Sequence, residues 1–103
     1  MIGSNEMNKE NNLFEGVNSL HFTGIGGIGM SALAEILAHR GFRISGSDLN
    51  TSPITEHLES LGIAVEKGNC AEFVENCDML IYTAAVKPDN PELLAAKAKV
   101  YLL

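Results

Sequence analysis

The sequence predicts a Rossmann-like α/β domain: three layers built on a parallel sheet of about five strands. Three observations carry that prediction. A glycine run at residues 24–29 lies between an apolar strand and an amphipathic helix. Strand-length apolar runs then alternate with helical patterns to residue 103, and an acid, Asp48, closes the second strand.

Leu20-His21-Phe22-Thr23 reads as a short buried strand. Met30, Leu33, Ala34 and Leu37 recur at i, i+3, i+4 and i+7, one face of a helix. Between them Gly24, Gly26 and Gly29 have the G-x-G-x-x-G spacing, with a further glycine at 27. In such a loop the first glycine permits the tight turn and the second clears space for a ligand. The third allows close helix–strand packing. The start of the following helix combines unpaired N–H donors with about half a unit of positive charge, an anion site that needs no lysine.

Gly41 suits the position just past that helix, and Arg43–Asp48 reads as the second strand. Asp48 lies 19 residues beyond Gly29, near the spacing of a ribose-binding carboxylate. Ser52-Pro53 opens a second helix with Ile54, Leu58 and Leu61 on one face, ended by Gly62. Ile63-Ala64-Val65 is a short strand, and Asn69 with Glu72 resembles a capping box for a third helix. Met79–Tyr82 is continuously apolar, as a strand covered on both faces should be. Asn90-Pro91-Glu92 starts a last helix running to about Lys97, and Val100–Leu103 forms a further strand. Ligands of such sheets bind beyond the carboxyl ends of the strands, which nominates Gly24–Gly29, Ser47 with Asp48, and Thr83-Ala84-Ala85.

Residues 1–17 are expected to form a flexible leader, polar and asparagine-rich to residue 12, its end pinned by Leu13, Phe14 and Val17. Residues 18–103 form the domain. The net charge of −6 argues against nonspecific binding to nucleic acid or an anionic membrane. No apolar run reaches the ~20 residues of a membrane span and no signal-peptide core is present, so a cytoplasmic setting is expected. Cys70 and Cys77 lack metal-ligand or C-x-x-C spacing and read as half-buried thiols. His21 reads as a structurally placed histidine, and Lys87 as a solvated one with a phosphate contact as the alternative.

Leu20–Glu35, with its Thr23-Gly24-Ile25-Gly26-Gly27-Ile28-Gly29-Met30-Ser31 centre, closely resembles the opening of the Mur ligases. Gly46-Ser47-Asp48, Tyr82–Val86 and Asp89–Glu92 fit the same family's first domain. The resemblance runs from about residue 18 to the chain end. It implies a cytoplasmic step of peptidoglycan synthesis. There, ATP and Mg²⁺ serve to phosphorylate the lactyl carboxylate of UDP-N-acetylmuramate, and the amine of L-alanine attacks the acyl phosphate. It further implies that an amino-terminal domain holds the UDP portion, a central domain ATP and Mg²⁺, and a carboxy-terminal domain the amino acid.

The UDP moiety is accordingly expected on Gly24, Gly26, Gly27, Ile28, Gly29, Met30, Ser31, Ser47, Asp48, Thr83 and Ala84. The diphosphate belongs over residues 26–29 and the uridine toward Ser47 and Asp48. Gly68-Asn69 departs from the family's Gly-His, and Thr83 and Ala84 stand where serines are usual. No G-x-x-x-x-G-K-[ST] loop occurs. The chain is therefore expected to be the amino-terminal domain alone, binding without catalytic residues, metal ligands or a cofactor of its own. The alternative is a nicotinamide-binding domain of a dehydrogenase or a nucleotide-sensing module, with Asp48 on the adenosine ribose.

Overall fold

A computed structural model of the chain describes residues 14–69, 71–96 and 99–103. Five strands and four helices alternate: β1 (Ser19–Thr23), α1 (Ile28–His39), β2 (Arg43–Asp48), α2 (Pro53–Ser60), β3 (Ala64–Lys67), α3 (Ala71–Glu75), β4 (Met79–Tyr82), α4 (Pro91–Ala95) and β5 (Lys99–Leu102). All pairings are parallel and the sheet order is β3-β2-β1-β4-β5. The chain therefore winds outward from β1 to β3, then returns to start the other half at β4. The topological switch lies between β1 and β4, where loops on either side part to leave a crevice.

The two faces of the sheet differ in chemistry. Leu20 and Phe22 of β1, Ile44 of β2, and Met79 and Ile81 of β4 point to one face. There they pack with Met30, Ala34 and Leu37 of α1 and Leu58 of α2 in the main core. Side chains alternate across a strand, so the other face receives His21, Thr23, Ser45 and Ser47. Buried Leu80 and Val74 lie outside the main cluster, and α4 closes this face through Glu92.

Local chemistry explains the boundaries. Ser52 caps α2 reciprocally with Thr55, and Pro53 occupies its first turn. Because α2 ends at Ser60, Leu61 leaves the expected apolar face and is 40% exposed, while Thr55 is buried. Phe14 and Val17 anchor the start of the domain, the Phe14 ring packing tilted against Phe42 with centroids 5.4 Å apart. The last helix stops at Ala95, short of the expected Lys97, because Ala96 is already extended, φ −66° and ψ 120°. The leader through Leu13 and Cys70 within the expected capping box lie outside the described residues.

Candidate functional site

At the end of β1 the chain reverses through Gly24, whose φ of +84° belongs to the left-handed region that glycine alone adopts without strain. The N–H groups of Gly24 and Ile25 both donate to the Ser47 carbonyl, at 2.8 and 2.9 Å. That of Gly27 donates to the Gly24 carbonyl at 3.2 Å, and that of Gly26 to Asp48 Oδ2 at 2.8 Å. The loop thus spends four N–H groups on its own shape. Helix α1 is different. Its N-cap is Gly27, with no side chain to cap it, and Ser31 N–H donates to the Gly27 carbonyl at 2.8 Å. The N–H groups of Ile28, Gly29 and Met30 have no partner among the described residues, as the first turn of a helix without a side-chain cap leaves them.

Two glycine roles need correcting. A Cβ on Gly26 would fall 2.7 Å from Asp48 Oδ2 and 3.2 Å from Thr55 Cγ2, so this glycine makes room for Asp48 rather than for a ligand. A Cβ on Gly29 would meet nothing, so the close approach of loop and strand is not there. It is at Gly46, where a Cβ would lie 2.5 Å from Ile25 Cδ1.

A cleft of about 810 Å³ opens at the carboxyl ends of the strands. Of the expected contacts, Gly24, Gly27, Ile28, Gly29, Met30, Asp48 and Thr83 line it. Gly26, Ser31, Ser47 and Ala84 do not. Gly26 is turned onto Asp48, and the Ser31 hydroxyl donates back to the Ile28 carbonyl at 3.0 Å. Ser47 is fully buried on the other face of the sheet, its hydroxyl donating to Glu92. The turn after β4, closed by Val86 N–H on the Thr83 carbonyl at 3.0 Å, presents Ala85 in place of Ala84. Lys87 is exposed, as expected of a solvated lysine, and is also the one cation among the described lining residues, which include the acids Asp48 and Asp89.

Asp48 is both wall and brace. Its Oδ2 holds Gly26 and its Oδ1 accepts the Asn50 N–H at 3.0 Å, an Asx turn that brings Leu49 and Asn50 into the cleft. Each carboxylate oxygen keeps acceptor capacity for a ligand donor. Asn50 was legible from its position two residues past the acid. Asn69, Asn90 and Pro91 also line the cleft, and no spacing rule connects them, because only the crossing of the chain from one sheet edge to the other brings them together.

Glu92 is the largest omission of the sequence reading. It is fully buried, and its Oε1 accepts from Thr23 Oγ1 at 2.7 Å, Ser47 Oγ at 2.7 Å and His21 Nε2 at 2.9 Å. His21 Nδ1 lies 2.9 Å from Ser45 Oγ. One carboxylate oxygen therefore ties the ends of β1 and β2 to the start of α4, immediately behind Gly24, Asp48 and Asn90. His21 is a structural histidine, as expected.

Away from the cleft, Asp78 accepts the N–H groups of Asn18 and Ser19, which hold its carboxyl below the ordinary range. Burial pushes the half-buried Cys77 thiol up, and it is unbonded to any other cysteine. Among the described residues no three His, Cys, Asp or Glu are grouped to hold a metal ion, and the sequence has no G-x-x-x-x-G-K-[ST] loop. No described helix is long and apolar enough to cross a membrane.

Fold and cleft together define a Rossmann-like α/β domain whose crevice sits at a topological switch point. The chain belongs to the Mur ligase family: the family's model, described as Mur ligase family, catalytic domain, matches residues 19–103. Over 80 residues it is 55% identical to the UDP-N-acetylmuramate–L-alanine ligase of Clostridium botulinum (strain Okra / Type B1) and covers 78% of this chain. The corresponding ligase of Neisseria gonorrhoeae is 51% identical over 80 residues, again 78% of this chain. The crystal structure of the UDP-N-acetylmuramate-alanine ligase of Thermotoga maritima superposes with a TM-score of 0.78 at 36% identity, covering 82% of this chain and 20% of that one. The match spans only 18% of the Clostridium relative and 17% of the Neisseria one. Family membership decides against the nicotinamide-binding alternative.

Proposed function

We propose that this chain is the part of a UDP-N-acetylmuramate–L-alanine ligase that holds the uridine diphosphate of its substrate. The observation that carries this reading is the set of three unclaimed N–H groups, Ile28, Gly29 and Met30, facing the cleft of about 810 Å³. They supply directed donors and the positive end of a 12-residue helix to a diphosphate, without a basic side chain in the loop. Asp48, braced by Gly26 and Asn50, offers its remaining lone pairs to a ribose hydroxyl or to the uracil N3–H, a donor that adenine lacks. Thr83 and Ala85 form the opposite wall.

In the whole enzyme, ATP with Mg²⁺ would activate the lactyl carboxylate for attack by L-alanine. The share of this chain is to bind and orient, with no catalytic group of its own, in a cytoplasmic setting and without nucleic-acid or membrane partners. A two-dimensional NMR titration with UDP-N-acetylmuramate and, separately, NAD tests the reading. Shifts at Ile28–Met30 and Asp48 with the uridine ligand alone are expected. Shifts with NAD alone, or with neither, would overturn it.

A further inference from the structure

Asn69 and Asn90 meet across the mouth of the cleft, and their orientation is set by chemistry rather than by choice. Glu92 is locked by its three buried donors, and its own N–H donates to Asn90 Oδ1 at 2.8 Å. A backbone N–H can only donate, so Asn90 must turn its Nδ2 outward. That Nδ2 donates to Asn69 Oδ1 at 3.2 Å. Asn69 must in turn direct its own Nδ2 away from Asn90, and that amide has no partner among the described residues. Asn69 is exposed and lines the same cleft as the start of α1.

We infer that Asn69 is a specificity-determining contact, its Nδ2 donating to a diphosphate oxygen on the side opposite the N–H groups of Ile28–Met30. The inference rests on the uridine diphosphate reading above. It adds a side-chain donor, aimed by a relay that begins at a buried carboxylate, to a diphosphate position otherwise built from backbone. It also accounts for a short polar residue at a rim that already carries Asp48 and Asp89.

The test is isothermal titration of the full chain with UDP and with uridine, using the unmodified protein, Asn69→Ala and Asn69→Asp. Asn69 is solvent-exposed, so both variants should keep the thermal midpoint within a few degrees, which is checked first. A donor lost to a charged acceptor is expected to weaken UDP binding about tenfold in Asn69→Ala. Asn69→Asp is expected to weaken it further, in a salt-dependent way, because a carboxylate then faces the diphosphate. Uridine affinity should stay within twofold in both. UDP affinities unchanged in both variants would overturn the inference while leaving the site reading intact, as would equal losses for UDP and uridine. If the unmodified chain bound neither, the site reading itself would fall, and this inference with it.

Discussion

The carboxylate of Asp48 accepts the N–H of Gly26 at 2.8 Å, and a Cβ on that glycine would lie 2.7 Å from the same oxygen. The residue whose spacing suggests a ribose contact is thus first a brace for the glycine loop. The glycine suited to admitting a ligand in fact admits the brace.

Gly26→Ala should therefore cost about 1–3 kcal/mol of stability, the range for overpacking a tight site. Asp48→Ala should cost about 1–3 kcal/mol by leaving the Gly26 N–H unpaired. The double variant should cost less than the sum, because the atom that the new methyl strikes has gone. Urea unfolding of the three variants measures the coupling, and strict additivity would refute it.

Gly46 and Ile25 form a second such pair. Gly46→Ala places a methyl 2.5 Å from Ile25 Cδ1 and 2.6 Å from Ile25 Cβ, the latter fixed to the backbone of the β1 turn. We expect a loss of about 1–3 kcal/mol and a displaced loop. Ile25→Ala removes Cδ1 and Cγ1 but keeps the Cβ at 2.6 Å, and it opens a cavity where a fully buried side chain stood, so it should recover only part of the loss. Unfolding midpoints of the single and double variants decide the matter.

Removing the Glu92 carboxylate strands three buried donors. Glu92→Leu is expected to destabilise by about 3–5 kcal/mol, as when one partner of a buried polar pair is deleted. Glu92→Gln keeps an acceptor oxygen for the Thr23 and Ser47 hydroxyls and should cost only about 1–2 kcal/mol. Chemical denaturation distinguishes the two, and a leucine variant as stable as the parent would show that the network is ornamental.

Acid stability should depend on Asp78. The N–H of Asn18, then that of Ser19, lowers its folded pKa below the unfolded value. Its contribution is complete above the ordinary carboxylate range, where both states are ionised. It is lost as pH falls through the lowered folded value, because the unfolded state takes up the proton first. Asp78→Asn should flatten the acid limb of the stability curve in thermal melts at stepped pH, with little change in slope near neutrality.

The architecture was legible because it is local. Met30, Leu33, Ala34 and Leu37 announce their helix by period, and Arg43–Asp48 ends where Gly41 and Asp48 say it should. Seven of the expected cleft contacts line it for the same reason: residues just past a parallel strand lie at its carboxyl end whatever the details. Two of the misplacements, Ser31 and Ser47, involve the direction of a side chain. Ser47 and Asp48 are neighbours, and strand alternation sends one into the polar layer and the other to the cleft. The chain alone does not say which.

Pattern and motif determined the fold class, the glycine-rich loop and the family, because periodicity, glycine spacing and helix caps act over a few residues. Only the tertiary structure decided which N–H groups remain free, what Gly26 and Gly46 make room for, and that Glu92 gathers His21, Thr23 and Ser47 onto one oxygen. These depend on pairs up to 71 positions apart, and hydrogen-bond satisfaction in a buried layer is a property of all its members at once.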